Sequence, residues 1–248
     1  MEEILGIIPA RGGSKGIPHK NIVDLCGKPL IQYTFEAAQS AKKLTRFLVS
    51  TEDMLIKEYS KKKNIEVIDR PEWLANDTTS TASVIEYTLN YLETVEGYIP
   101  QYVMILQPTS PLRCAEDIDK CITLIKETNA DSVVSVVDLP HNFLPEKLMK
   151  IEDHYLKFLY SHGEKYTTRQ QQRKLYSRNG AAIYLFKTIV FKETKSYYGE
   201  KCIPYVMEKN RSFDIDTLED LEIVRAWINY QRKKNSDAEK DNIYDGRW

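Results

Sequence analysis

The sequence predicts an α/β protein with a three-layer, Rossmann-like fold around a mainly parallel sheet. Short apolar runs alternate with amphipathic stretches of helical length along most of the chain, which is typical of parallel strands covered by helices on both faces. Polar clusters follow several predicted strands, where ligands bind in sheets of this kind. The 248 residues suffice for one large core, so we expect a single domain over residues 1–232.

The regular part of this alternation occupies the amino-terminal half. Each predicted strand is a short run rich in Ile, Leu, Val or Phe, and each predicted helix repeats apolar residues every three or four positions. In chain order we predict strand Ile4–Pro9, helix Leu30–Ala41, strand Phe47–Val49, helix Met54–Lys63, strand Ile65–Ile68, helix Ser80–Thr94, strand Tyr102–Leu106, helix Ala115–Glu127 and strand Ser132–Val137.

The alternation breaks over residues 138–178. This stretch is polar, rich in Lys, His and Gln, and has only short apolar pieces such as Tyr155–Tyr160. We expect it to extend from the main domain, either as a flap or as a dimerisation arm. The histidines in it, His141, His154 and His162, lack metal-ligand spacing and are interpreted as surface residues.

After this stretch the sequence returns to regular elements. We predict strands at Ala181–Phe186 and Ile203–Met207, followed by a final helix at Leu218–Ile228. Thr217 and Asp220 have the spacing of a capping box at the start of that helix. Residues 233–248 form a charged tail that we expect to be frayed.

Composition excludes several classes of protein. The net charge is −1, so the chain has no overall basic field for nucleic acid. No apolar run approaches the roughly 20 residues of a membrane span, and the start of the chain lacks the positive region of a signal peptide. Cys26, Cys114, Cys121 and Cys202 are scattered, which favours free thiols. We therefore expect a cytoplasmic protein without a membrane or nucleic-acid partner.

The loop after the first strand, within Ile8–Asn21, contains three glycines and three fixed cations. Glycine allows backbone to approach a ligand closely, and successive backbone N–H groups can form an anion-binding concavity. Arg11, Lys15 and Lys20 would repel one another unless an anion lay among them, which favours a bound polyphosphate. The loop matches neither a Walker A motif nor the Gly-x-Gly-x-x-Gly of dinucleotide folds. The alternative is a surface turn with solvated cations.

Further polar clusters follow the predicted strands. Gln107–Arg113 combines amide, hydroxyl and guanidinium groups with two stiffening prolines, although it could be only a capped strand-to-helix turn. The hydroxyl-rich Asp77–Thr81 could recognise a nucleoside with Arg70, or simply cap a helix. Asp214 and Asp216 would share one face of an extended segment and suit Mg²⁺ held jointly with phosphates. Alternatively, Asp216 complements the final helix.

These motifs, in this order, resemble those of the CMP-sugar-acid synthetases, the acylneuraminate cytidylyltransferase family. The resemblance extends to about Ile228. It rests on the following segments: Ile8–Asn21, Gly27–Leu30, Arg70-Pro71 with Asp77–Thr81, Leu106–Arg113, Arg169–Gln171, Arg178–Tyr184 and Asp214–Asp216.

The resemblance implies a nucleotidyltransferase that moves CMP from CTP to the anomeric hydroxyl of a nine-carbon 2-keto sugar acid and releases pyrophosphate. It also implies Mg²⁺ at Asp214 and Asp216, a homodimer, and a sugar acid held by Gln107, Arg169 and Gln170. The residues implied for CTP are Ala10, Arg11, Gly12, Lys15, Lys20, Asn21, Arg70, Ser80, Thr81 and Gln107. Those implied for catalysis are Arg11, Lys15, Lys20 and Asp216.

One segment departs from the family pattern. Many members have a proline where this chain has Gln172–Leu175, so the sugar acid could be sialic, legionaminic or pseudaminic acid. Two other functions remain open: a sugar-1-phosphate nucleotidylyltransferase, and a nucleotide-binding module without turnover. Intact Arg11, Lys15, Asp214 and Asp216 argue against the second of these.

Overall fold

The computed structural model describes residues 2–76, 78–160 and 174–244, with side chains described as far as residue 237. The strands are β1 (Ile4–Pro9), β2 (Asp24–Leu25), β3 (Lys28–Pro29), β4 (Arg46–Thr51), β5 (Glu66–Asp69), β6 (Tyr102–Ile105), β7 (Ser132–Asp138), β8 (Met149–Glu152), β9 (Tyr155–Phe158), β10 (Tyr176–Arg178), β11 (Tyr184–Lys187) and β12 (Cys202–Val206). The helices are α1 (Leu30–Ser40), α2 (Met54–Lys62), α3 (Thr81–Glu96), α4 (Ala115–Thr128), α5 (Thr188–Thr194) and α6 (Leu218–Tyr244).

The central sheet is mainly parallel, as the alternation predicted. Its strands run in the order β5, β4, β1, β6, β11, β7, and β12 pairs with β7. The pairs β1–β4, β1–β6, β4–β5 and β7–β12 are parallel. Strand β11 is antiparallel to both β6 and β7, and this reversal was not predicted because apolar composition does not encode strand direction.

Helices cover both faces of the sheet, which confirms the three-layer architecture. Strand β1 supplies Ile4 and Ile8 to one core and Leu5 and Ile7 to the other, because successive side chains of a strand point to opposite faces. The first core contains apolar residues of α1, α2 and α4, and the second contains those of α3 and α5. A third, smaller cluster joins α6 to the loop after β1 through residues such as Ile17 and Val224.

The stretch over residues 138–178 leaves the sheet where β7 ends at Asp138 and rejoins it at β10, which pairs antiparallel with that same end. Between these points β8 and β9 form a two-stranded antiparallel hairpin apart from the main sheet. We call this excursion the arm. Its role in dimerisation remains a prediction.

Helix α6 differs from the predicted final helix in length. Its start carries the predicted capping box, since the Thr217 N–H and hydroxyl both donate to Asp220 Oδ2, at 2.8 Å each. Its backbone is helical through Tyr244, so the helix extends well beyond the predicted end at Ile228, and fraying of residues 233–248 stays a prediction. No Gly or Pro interrupts this stretch, and its charged residues include good helix formers.

Two expectations from composition concern membrane-spanning helices and cysteine thiols. Within the described ranges, no helix combines the length and the apolar character that crossing a membrane requires. All four cysteines lie in these ranges and none is disulfide-bonded, as expected.

Candidate active site

A cavity of about 340 Å³ lies at the carboxyl edge of the sheet. Its walls come from the loop after β1, the segment between β5 and α3, the loop after β6, the turn before β11 and the segment before α6. The sequence places these segments far apart, and parallel strand pairing brings their ends to one edge. The lining residues are Pro9, Arg11, Gly13, Ser14, Lys20, Asn21, Arg70, Leu74, Asn76, Thr79, Thr81, Val84, Gln107, Thr109, Gly180, Asp214 and Asp216.

Most of the predicted site residues meet in this cavity. Those that line it are Arg11, Lys20, Asn21, Arg70, Thr81, Gln107, Asp214 and Asp216. Four others, Ala10, Gly12, Lys15 and Ser80, adjoin lining residues in sequence but are not among them. Ser80 caps α3 by accepting a hydrogen bond from Ser83 N at 3.1 Å, the structural role that sequence analysis left open. Arg169 and Gln170 lie outside the described residues, and so does Asp77.

The loop after β1 is held by polar contacts at both ends. Gly12 N donates to Glu52 Oε1 at 2.7 Å, and the buried Asn21 donates from Nδ2 to the Arg11 carbonyl at 2.9 Å. Gly16 lies so close to the segment with Asp214 and Asp216 that a Cβ at Gly16 would lie 2.2 Å from the Asp216 carbonyl oxygen. At this position, therefore, glycine is needed for close backbone approach.

Lys20 connects this loop with the two aspartates. Its Nζ donates to Asp216 Oδ1 at 2.9 Å and to the Ile215 carbonyl at 3.0 Å. The Lys20 side chain is largely buried, whereas that of Asp216 is 72% exposed. Sequence analysis assigned Lys20 to triphosphate binding and Asp216 to metal binding. In the structure the two side chains form an ion pair at the cavity wall.

Asp214 is the more deeply placed of the two aspartates. Burial raises the pKa of its carboxyl to about 6, and the Asp216 charge adds to this rise while a hydrogen bond from Thr109 opposes it. Its Oδ1 is buried without a hydrogen-bond partner. Gly180, at φ 69°, packs directly on this carboxyl, since a Cβ there would lie 2.2 Å from Asp214 Cγ. A buried oxygen without a partner is costly in an isolated protein and indicates an unused ligand position.

Arg70 is buried, with 4% of its surface exposed, and also lines the cavity. Its Nε donates to Glu52 Oε2 at 2.7 Å, so Glu52 joins Arg70 to the glycine loop through its two carboxylate oxygens. Arg70 Nη2 is buried and has no hydrogen-bond partner. This nitrogen is a donor available to a ligand.

The loop after β6 divides into a cavity part and a structural part. Gln107 and Thr109 line the cavity. Arg113 is buried instead and donates to the Ala182 carbonyl, the Gln107 carbonyl and Thr34 Oγ1, at 2.7, 3.2 and 2.7 Å. Burial lowers the pKa of Arg113 to about 10, yet the side chain remains charged at neutral pH. Its guanidinium braces the loop and does not line the cavity.

The donor set is compatible with Mg²⁺. Among the described residues no group of three His, Cys, Asp or Glu side chains is placed to hold a metal ion. Mg²⁺ is commonly bound by one or two carboxylates together with substrate phosphates and water. Asp214 and Asp216 supply two carboxylates at the cavity wall, and Asp214 Oδ1, which has no hydrogen-bond partner, is the type of oxygen that binds Mg²⁺.

Sequence analysis did not assign roles to several residues that shape the cavity. Asn76 and Thr79 line it near α3, and Thr109 both lines it and contacts Asp214. Glu52 organises two cavity segments without lining the cavity itself. Thr79 and Thr109 lie in the motifs Asp77–Thr81 and Gln107–Arg113, and Asn76 directly precedes the first of these. No local pattern distinguished Glu52, because its partners are distant in sequence.

Comparison with known proteins identifies the family of the chain. The chain matches the cytidylyltransferase family over residues 5–242. It is 31% identical to N-acylneuraminate cytidylyltransferase of Escherichia coli, over 98% of this chain and 55% of that protein. It is 32% identical to CMP-N,N'-diacetyllegionaminic acid synthase of Campylobacter jejuni, over 96% of this chain and 100% of that protein. The chain thus spans about half the length of the first relative and all of the second.

The fold is similar to a solved structure of CMP:2-keto-3-deoxy-manno-octonic acid synthetase complexed with CTP. The TM-score is 0.68 at 17% identity, over 93% of this chain and 100% of that one. This likeness supports the nucleotidyltransferase fold. The family match covers nearly the whole chain, and the chain therefore belongs to the cytidylyltransferase family.

Proposed function

We propose that this member of the cytidylyltransferase family transfers CMP from CTP to the anomeric hydroxyl of a nine-carbon 2-keto sugar acid and releases pyrophosphate. The observation that carries the proposal is one cavity lined both by the cations Arg11, Lys20 and Arg70 and by the carboxylates Asp214 and Asp216. A nucleoside triphosphate with a divalent cation matches both signs of charge. Relatives named for sialic and legionaminic acids support a sugar acid as the acceptor.

The triphosphate would lie along the loop after β1. Arg11 and Lys20 would contact phosphate oxygens from the cavity wall, with Lys15 of the same loop close by. Backbone N–H groups of the glycine-rich turn would add hydrogen bonds to the anion. Fixed cations at this place stabilise the charge that develops on the phosphoryl oxygens as pyrophosphate leaves.

The nucleoside would occupy the side of the cavity formed by Arg70, Asn21 and Thr81. Arg70 offers the buried, unpartnered Nη2 as a donor, and the pairing of its Nε with Glu52 holds the guanidinium plane in place. Asn76 and Thr79 add polar groups on the same side. A rigid donor of this kind suits the acceptors of cytosine, its carbonyl oxygen O2 and ring nitrogen N3.

Asp214 and Asp216 would hold Mg²⁺. When bound, the ion would neutralise negative charge on the phosphates. Asp214 contributes an oxygen that has no partner within the protein, while Asp216 would exchange its contact with Lys20 for the ion.

In the reaction itself, the anomeric oxygen of the sugar acid attacks the α-phosphorus of CTP and its proton is lost. The bond from the α-phosphorus to the oxygen bridging the α- and β-phosphates breaks, and pyrophosphate departs with that electron pair. Gln107 would orient the sugar acid between the nucleotide and the turn at Gly180. Arg169 and Gln170 would meet the sugar-acid carboxylate, for which a bidentate guanidinium is well suited.

The arm supports a homodimer as part of this proposal. In the register of its hairpin, Met149, Ile151, Leu156 and Phe158 share one face, and Lys150, Glu152, Tyr155 and Lys157 share the other. Ile151 and Leu156 lie directly opposite each other and are 79% and 63% exposed. An isolated two-stranded hairpin is marginal in water, so its apolar face favours burial against a second copy of the chain.

A substrate panel tests the function. Purified protein is assayed for pyrophosphate release with each of the four nucleoside triphosphates, with Mg²⁺ present or removed by chelation. Sialic, legionaminic and pseudaminic acids are the acceptors, and sugar 1-phosphates are compared with them. We expect release only with CTP, Mg²⁺ and one or more of the sugar acids. Release with a sugar phosphate in the absence of a sugar acid would overturn the proposal.

Lysine variants test the site assignment. Lys20→Met removes a cation from the cavity wall, and Lys28→Met removes one that instead pairs with Glu36 and lies over the ring of Tyr33, 3.9 Å from its centroid. We expect turnover to fall at least about 100-fold in the first variant, the loss typical of a transition-state donor, and to stay at the wild-type value in the second. Equal activity of the two variants would contradict the role of Lys20.

A further inference from the structure

Asp117 is a fully buried carboxylate that the proposed reaction does not use. It lies in the first turn of α4, outside the cavity lining, and accepts hydrogen bonds from three separate segments. Cys114 donates to Oδ2 from its backbone N at 3.0 Å and from Sγ at 3.1 Å, and the Tyr205 hydroxyl donates to Oδ1 at 2.8 Å. Burial raises the pKa of the Cys114 thiol to about 11, so the thiol stays protonated and can donate.

The third contact comes from Arg211, which precedes the aspartate pair. Its Nη1 lies 2.8 Å from Asp117 Oδ1 and 2.7 Å from Oδ2. Burial is the largest single influence and opposes the Arg211 charge, but Asp117, together with smaller contributions from Cys114, Glu208 and Tyr205, outweighs it, so the pKa of Arg211 is raised. Breaking a buried ion pair leaves an uncompensated charge, so the two residues hold each other firmly.

A second anchor lies on the other side of Asp214. Ile215 N donates to the Thr109 carbonyl at 2.8 Å. Thr109 and Asp117 belong to one continuous stretch that contains the loop after β6 and the start of α4. Arg113 braces this stretch by donating to the Gln107 carbonyl within it and to the Ala182 carbonyl outside it. The segment with Asp214 is therefore bonded to this stretch at two points. Arg211 makes the first contact, three residues before the aspartate, and Ile215 makes the second, one residue after it.

We propose that Asp117 is a positioning residue which, through Arg211, sets the place of Asp214 and Asp216 at the cavity wall. Asp214 has a buried oxygen without a partner within the protein. A segment with such a group tends to rearrange unless other contacts hold it in place. The Asp117–Arg211 pair supplies that constraint from outside the cavity. This inference rests on the proposed function only in assigning the aspartates to Mg²⁺.

The test compares two aspartates of the same helix. Asp117→Asn keeps the shape of the side chain but removes the charge that Arg211 requires. Asp119→Asn is the matched control, because its carboxylate accepts hydrogen bonds from Lys42 N and Lys43 N and contacts no cavity segment. Tyr205→Phe removes a single hydrogen bond to Asp117 and is a milder variant should Asp117→Asn fail to fold.

Two measurements separate positioning from general stability. The first is amide hydrogen exchange of residues 212–217 in the protein without substrates, and the second is the Mg²⁺ concentration that gives half-maximal pyrophosphate release. Loss of a group bonded directly to a metal ligand typically costs 10- to 100-fold in metal affinity. Asp117 acts one step further out, through Arg211, so we expect the Mg²⁺ requirement of Asp117→Asn to rise by about tenfold, the lower end of that range. Exchange in residues 212–217 should accelerate with it, and Tyr205→Phe should shift both in the same direction by less.

Asp119→Asn is expected to lower the melting temperature alone. The inference is wrong if Asp117→Asn and Tyr205→Phe behave in the same way, with wild-type hydrogen exchange over residues 212–217 and the wild-type Mg²⁺ requirement. If the wild-type protein releases no pyrophosphate with any sugar acid, the proposed function fails by itself. Hydrogen exchange, which needs no turnover, then decides whether Asp117 positions the segment.

Discussion

The cavity edge of the sheet and the hairpin of the arm differ in where their side chains find partners. At the cavity edge, charged groups such as Arg70, Arg113 and Asp117 are buried, and each is bonded to other segments of the same chain. In the arm hairpin, apolar side chains are exposed and the ion pairs lie on the surface. The comparison teaches that the charged groups near the cavity find their partners within the described part of the chain, whereas the hairpin leaves apolar side chains exposed, and the proposed dimer rests on that difference.

The largest effect is expected at the cavity edge itself. Asp214→Asn should lower turnover at least about 100-fold, because it removes a proposed metal ligand. The same change should raise the melting temperature of the substrate-free protein by about 2–4 °C, as about 1 kcal/mol does in a domain of this size, because a neutral amide avoids burying a charge. Steady-state kinetics and thermal unfolding at pH 7.5 check the two parts.

Asp216→Asn is the control for this prediction. Its carboxylate is exposed and paired with Lys20, so its loss should lower turnover without a gain in melting temperature. A melting temperature for Asp214→Asn at or below the wild-type value would show that the buried carboxylate is not a stability cost.

The second effect concerns the arm. Replacing Ile151 and Leu156 by glutamate places charges on the apolar face of the hairpin. If this face meets a second copy, the dissociation constant of the dimer should rise at least about tenfold, since a single buried interface anchor contributes about 2 kcal/mol or more. Sedimentation equilibrium over a concentration series measures it.

Replacing Lys150 and Lys157 by glutamate, on the opposite face of the same hairpin, provides the matched control. These positions should leave the dissociation constant near the wild-type value. A wild-type protein that stays monomeric at assay concentration would remove the dimer from the proposed function.

The third effect is a pH dependence of Mg²⁺ binding. Because the pKa of Asp214 is raised to about 6, the ion must displace a proton below that pH, and the apparent affinity should fall by about tenfold per unit as the pH drops further. Calorimetric titration at pH 6 in two buffers of different ionisation enthalpy should detect proton release. No difference between the buffers would contradict the assignment.

The same raised pKa has the opposite effect on the substrate-free protein. Since the folded state holds the proton more tightly than the unfolded state, stability from this group is complete at low pH and is lost as pH rises from about 4 to 6. Asp214→Asn should flatten this part of the stability profile.

The smallest effect is expected for the surface ion pairs of the arm. Glu152 lies 3.4 Å from Lys150 and 3.1 Å from Lys157, with all three side chains about half exposed. Glu152→Gln should change the free energy of unfolding by less than about 1 kcal/mol, because exposed pairs are screened by solvent. Urea denaturation measures the change. A larger loss would mean that the arm has more internal stability than its exposure indicates.

Much of the fold followed from local patterns. Apolar runs and helical spacing predicted most strands and helices of the main domain, and the end of the pattern at Asp138 and its return at Arg178 gave the limits of the arm. Helix α5 was missed because it is short and follows β11 directly. The turn at Ala181 also escaped prediction: its φ of 55° is unusual for alanine, and β11 begins only at Tyr184.

The sequence by itself determined which chemical groups the protein brings to its site, because glycines, cations and carboxylates in a fixed order after apolar strands are a local property of the chain. Only the tertiary structure decided which of these groups pair, which are buried and which have a shifted pKa. Lys20 pairs with Asp216, Arg113 turns inward as a brace, and Asp214 is buried with a raised pKa. These outcomes depend on contacts between residues as much as 196 positions apart, and on the loss of solvent around them, which no local pattern contains.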